Sequence, residues 1–94
     1  MLFRSWHKAR VIQRYIVELK IYQLEGTSNY PDGIKYSLIC KDLNSNRKVL
    51  MDNHHPKSHH VHLDDLEITY RFRSLNKLVD DFEELVFIHM GVRL

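Results

Sequence analysis

Five of the seven histidines of this 94-residue chain fall within eleven consecutive residues, Asp52 to His62, in the string DNHHPKSHHVH. Their types and spacing admit three kinds of chemistry. In the first, His60 and His62, two apart and so on one side of a short extended segment, bind a metal with Asp52 and with His54 or His55. Zinc, non-haem iron and nickel accept such imidazole and carboxylate donors. H-x-H is a common pair, however, and nothing else in the chain fixes a metal, so no metal and no other cofactor is expected. In the second, the imidazoles move protons. Histidine titrates near neutral pH, so one ring can deprotonate a 2′-OH of RNA while another protonates the leaving oxygen. His60 and His62 are the expected acid–base pair, with His59 beside them and Asp52 orienting a ring as carboxylates around imidazoles do. Asn53, His54 and His55 would line the site. Lys57, Arg47 or Arg71 would meet the charge that develops on phosphate. The third is a solvated loop. Five imidazoles placed so closely repel one another whenever protonated, and small polar residues would fill a loop without that cost. The weight therefore falls on proton transfer. His7 and His89 read as structural, His89 complementing the dipole at a helix end.

The elements that position this string are legible from periodicity. Tyr15, Val17, Leu19 and Ile21 alternate with polar neighbours and predict a half-buried strand over Tyr15–Leu24. The preceding HKARVIQR is ambiguous between an extension of that strand and a short helix, and the strand is favoured. The charged start, residues 1–9, reads as a flexible arm. EGTSNYPDG is a loop, after which IKYSLICKDL places Ile34, Tyr36, Leu38 and Cys40 on one side. A turn at Asn44–Asn46 leads to a third strand, RKVLMDN. A fourth, LEITYRF, has Leu66, Ile68, Tyr70 and Phe72 in phase. Ser74 is the expected N-cap of an amphipathic helix through Leu75, Leu78, Val79, Phe82, Leu85 and Val86, which Gly91 ends. The expected fold is α+β: an antiparallel meander of about four strands with a C-terminal helix packed on one face, in a single domain over residues 1–94.

Composition narrows the function further. A chain this short has one core and no room for a deep cavity, so an active site would be a shallow cleft. The lone Cys40 excludes an internal disulfide framework, fits a reducing cytoplasm and reads as a small core residue. No apolar run approaches the roughly 20 residues of a membrane span, and the start lacks the apolar core of a signal peptide. Basic residues outnumber acidic ones in the N-terminal half. Tyr15, Tyr22, Tyr30, Tyr36 and Trp6 could interleave there with Arg4, Arg10, Arg14, Lys20 and Lys35 as a base-stacking platform, although strand-phased aromatics more often build the sheet.

The stretch KYSLICKDLNSNRKVLMDNHHPKSHHVHL resembles the TumE-type toxins of prokaryotic toxin–antitoxin modules. Their pattern of a tyrosine-bearing strand, an apolar strand ending in Asp-Asn, a histidine pair, a loop and His-His-x-His matches Tyr36, Asp52, Asn53, His54, His55, His59, His60 and His62. ITYRFRSLNKLVDDF is similar to the family's closing strand and helix, so the likeness runs over residues from about 10 to 89. The spacer Pro56-Lys57-Ser58 is shorter than in many members. The resemblance implies a cytoplasmic toxin neutralised by a cognate antitoxin with a helix-turn-helix domain, and it adds Tyr36 to a substrate-binding set of Asn53, His54, His55, Lys57 and Arg71. Many small toxins of such modules cut RNA. By that analogy the expected activity is metal-independent RNA cleavage. The alternative is a non-enzymatic or metal-binding toxin that acts by binding its antitoxin or a cellular protein. An unpaired sheet edge would suit a homodimer or strand exchange with the antitoxin.

Overall fold

A computed structural model describes residues 2–94. Six strands, β1 (Leu2–Ile12), β2 (Tyr15–Leu24), β3 (Ile34–Asp42), β4 (Lys48–Asp52), β5 (His60–Leu63) and β6 (Leu66–Thr69), precede one helix, α1 (Leu75–Met90). The strands lie side by side in chain order, each antiparallel to the next. The α+β class, the antiparallel sheet and the C-terminal helix are as expected. The strand number is not: the sheet has six strands rather than about four.

Both extra strands hide behind turns without glycine. β1 and β2 are joined at Gln13–Arg14, with Ile12 opposite Tyr15 and Gln13 at φ 54. Two-residue hairpin loops usually announce themselves by Asn-Gly or Asp-Gly. Here the bend is held from outside: the Arg14 carbonyl accepts from Leu43 N at 2.8 Å, and Arg14 Nε lies 3.3 Å from Asp42. Of the arm expected over 1–9, Met1 lies outside the described residues, and residues 2–9 belong to β1. β5 and β6 turn at Asp64–Asp65, with Asp64 at φ 55 and its backbone N–H and carboxylate both bonded to the Lys48 main chain. The strand expected over Leu66–Phe72 stops at Thr69. Its Leu66 and Ile68 are exposed, while Tyr70 and Phe72 reach the core from the segment that leads into α1.

Strand alternation sends Ile34, Tyr36, Leu38 and Cys40 of β3, Val49 and Met51 of β4 and Val61 of β5 to one face, where Leu78, Phe82 and Val86 of α1 seal them. Cys40 is fully buried there, and burial pushes its thiol pKa up, as suits a core residue. Ser74 Oγ accepts from Lys77 N at 3.1 Å, and Gly91 ends the helix in the left-handed conformation. Ser74→Ala is expected to cost about 1 kcal/mol in urea unfolding and to leave the opposite face of the sheet untouched.

His89 does more than complement the helix dipole. Its Nε2 lies 3.0 Å from Asp64, and Arg47 Nη2 donates to the His89 carbonyl at 2.7 Å, so the end of α1 is fastened to two hairpin turns. The His89 imidazole 3.0 Å away, then the bond from the Lys48 amide, holds the Asp64 carboxyl below its ordinary value. A carboxyl depressed on folding contributes stability above its unfolded value and loses it as pH falls through the folded one. Unfolding midpoints in urea are therefore expected to drop as pH falls below about 4, and less steeply in Asp64→Asn.

Candidate active site

Because Tyr36 and Leu38 point to the helix, Ser37 between them points away, and the register carries that choice across the sheet. His7, Lys20, Ser37, Asp52, His60 and Thr69 stand opposite one another on successive strands, in one row on the face away from α1. The adjoining row holds Glu18, Ile39, Leu50, His62 and Glu67. Asp52, His60 and His62, ten residues apart at most, thus meet on the open face through β4–β5 pairing.

His60 is the most constrained of them. Its Nε2 lies 2.9 Å from Asp52 Oδ1, its Nδ1 lies 2.8 Å from the Ser58 carbonyl, and the residue is only 6% exposed. Both nitrogens face acceptors, so only a ring carrying both protons donates to both at once. Ser58 sits at φ 64, in the left-handed region that a non-glycine residue adopts at a cost of about 1–2 kcal/mol. The His62 ring stands edge-on to His60, 4.7 Å between centroids, and makes no hydrogen bond among the described residues. Glu67 Oε1 is 3.8 Å from His60 Nε2 and is bridged by Lys57 at 3.3 Å. Beside Asp52 opens a shallow depression of about 330 Å³, bordered by Lys20, Tyr22, Lys35, Ser37 and His54.

The other expected site residues divide between this face and its back. His59, next to His60 in the chain, turns the opposite way. Its Nδ1 is 2.8 Å from the Tyr36 hydroxyl and its Nε2 is 2.8 Å from Asp32, and the ring stacks on Phe72. Tyr36 is 2% exposed, and burial foremost, with nearby Tyr70, Asp52 and Asp32, raises its phenol pKa, so the hydroxyl stays protonated and donates to His59. Asn53 is buried, accepting from Tyr36 N at 2.9 Å and donating to the Ile34 carbonyl at 2.7 Å. Its amide extends the β3–β4 pairing beyond Asp52 and fixes where the histidine loop departs. Asn53→Ala is expected to cost about 2 kcal/mol or more, because two buried backbone groups lose their partners. A urea titration against the wild type measures it. His54, His55, Lys57 and Arg71 are exposed. Arg47 stands at the other end of β4, bound to Asp64 and His89, about 17 Å of strand from Asp52.

Ser37 and Glu67 are not among the expected site residues, and Lys20, Tyr22 and Lys35 enter the sequence reading only as part of a base-stacking platform, not beside Asp52. Their outward phase was readable from alternation, but their alignment with Asp52 depends on register. As to metals, the donor atoms of Asp52, His60 and His62 lie within 4.8 Å of one another. Two imidazoles and a carboxylate are a set that divalent transition metals accept, and the Ser58 carbonyl on Nδ1 is the outer contact such a ligand commonly has.

The sequence profile of the family described as Toxin TumE matches residues 6–88. The chain belongs to the TumE toxin family. The match begins within β1 and ends in the last turns of α1, so it spans the whole site. No curated protein and no solved structure matches significantly. Membership of the TumE family points to a toxin function and, in general terms, to an antitoxin partner. No helix among the described residues is long and apolar enough to cross a membrane.

Proposed function

We propose that this TumE-family protein is the toxin of a type II module and arrests growth in the cytoplasm by cutting RNA on the open face of its sheet, without a metal. The observation that carries this reading is the pairing of two imidazoles 4.7 Å apart with a carboxylate 2.9 Å from the buried one, His60, on the face of the sheet away from α1, where His62 is half-buried. His62, whose nitrogens are unengaged among the described residues, takes the proton from the 2′-OH. The 2′-oxygen bonds to phosphorus as the P–O5′ bond breaks, and His60 gives its Nε2 proton to the departing 5′-oxygen. Asp52 holds the His60 ring until that transfer. A cyclic 2′,3′-phosphate and a free 5′-hydroxyl remain. His54, His55, Lys57 and Arg71 lie toward the substrate; Asn53, Tyr36 and His59 support the loop from beneath. Lys20 and Lys35 bring positive charge to the phosphates, and Tyr22 offers a face to a base.

Purified protein is expected to cleave single-stranded RNA in EDTA, leaving cyclic phosphate ends, and to spare an oligonucleotide with one 2′-deoxy sugar at the cut. Intact RNA at high protein concentration overturns the reading. The donor set also favours a second one, in which a divalent cation binds Asp52, His60 and His62. Calorimetry with zinc, nickel and manganese tests it: micromolar binding lost in His62→Ala, together with cleavage that appears only after metal is restored, would replace proton transfer by metal chemistry. The neutralising partner in this proposal is an antitoxin with a helix-turn-helix domain, encoded next to the toxin.

A further inference from the structure

The back of the sheet is only partly covered. Six strands set about 4.8 Å apart span about 24 Å, and one helix of about 10–12 Å covers roughly half of that. α1 lies over the central strands, where Leu78, Phe82 and Val86 are buried against β3 and β4. Between α1 and β1 runs a trough made of two adjoining hollows of about 570 and 360 Å³ that share Lys8, Leu19 and Val79. Its floor is aliphatic, from Val17, Leu19 and Ile21; Val79 and Leu75 form the wall on the helix side. The opposite wall is β1, with Trp6, Lys8 and Arg10 exposed. Leu2–Ile12 contains no acidic residue, and Lys8 and Arg10 have no ion pair among the described residues. Among the described residues Glu83 is the one acidic side chain lining the trough, and Leu94 lines it beside Glu83.

We infer that this trough is a docking site for an acidic amphipathic helix of a partner protein, laid beside α1 as the missing half of the second layer. An apolar stripe would enter over Leu19 and Val79, and carboxylates on its flank would meet Lys8 and Arg10. The aliphatic floor speaks for a side-chain stripe rather than for nucleic acid, whose bases favour aromatic or guanidinium faces. The site lies on the other face from Asp52, His60 and His62, so the inference stands whether or not the protein cuts RNA.

Trp6, the only tryptophan of the chain, lines the trough and reports on it. Two synthetic helical peptides of about 16 residues (a length of about 24 Å) carry one leucine stripe, flanked by Glu in one and by Lys in the other. The Glu peptide is expected to bind and to shift Trp6 emission to shorter wavelength, with the Lys peptide weaker by about tenfold or more. In Lys8→Glu, Arg10→Glu the preference reverses; both side chains are exposed, and circular dichroism confirms the fold. Equal binding of the two peptides, no binding of either, displacement of the Glu peptide by a single-stranded RNA, or a dimer in sedimentation that already hides Trp6 each overturns the inference.

Discussion

His60→Ala, His62→Ala is expected to restore growth to cells in which the wild-type protein halts it, and to reduce RNA cleavage by about 10²–10⁴-fold, the range that positioned acid–base groups supply. The two singles should each approach the double, because residues that act as one unit are not additive. The variants differ in what they leave behind. His62 is half-buried on the open face, so its removal leaves the fold alone. His60 is buried between Asp52 and the Ser58 carbonyl, so its loss strands two acceptors. Urea unfolding separates the effects: a His62→Ala protein of wild-type stability that neither cleaves nor poisons isolates the chemistry. Toxicity that persists in folded His62→Ala would mean that the protein poisons by binding, and the acid–base reading would fall.

Phe82→Ala is expected to lose about 3–5 kcal/mol, the cost of a large cavity beneath a helix. Phe82 is 1% exposed and sits midway between Leu78 and Val86 on the buried stripe of α1, over a sheet core that includes Leu38, Cys40, Val49 and Met51. Domains of this size have about 5–15 kcal/mol in all. Much of the margin would go, and a melting temperature lower by tens of degrees, with toxicity lost at 37 °C and regained at lower temperature, is the expected result. A shift of only a few degrees would show that α1 is not what holds the sheet. The consequence for function is indirect but large, since β4 and β5 present Asp52 and His60 on one face while Met51 and Val61 grip the helix on the other.

How much of this was legible depends on how local the signal is. The phases of β2 and β3 and the caps at Ser74 and Gly91 follow from alternation and residue type, and the structure shows them as read. The string itself marks Asp52, His60 and His62 together. Parity within an extended segment already separates His59 from His60, a distinction the crowding of imidazoles obscured. The hairpins at Gln13–Arg14 and Asp64–Asp65 carry no local turn signal, because their backbone is held by contacts from Leu43 and Lys48, residues remote in the chain. Lys20 and Ser37 could not be placed beside Asp52, because register across three strands is set by packing on the far face and is not written in any one strand.

The strands also succeed one another in space in the order of the chain. Every pairing is therefore a hairpin, and bringing Asp52, His60 and His62 together needs only the β4–β5 pair, a local event that closes quickly. Yet those strands have no cover until α1 follows them. On a ribosome, Asp52, His60 and His62 emerge before the residues that stabilise the sheet bearing them. A chain that stops before Leu75 would hold Asp52, His60 and His62 and lack Leu78, Phe82 and Val86, the side chains that seal the core on the other face of their strands.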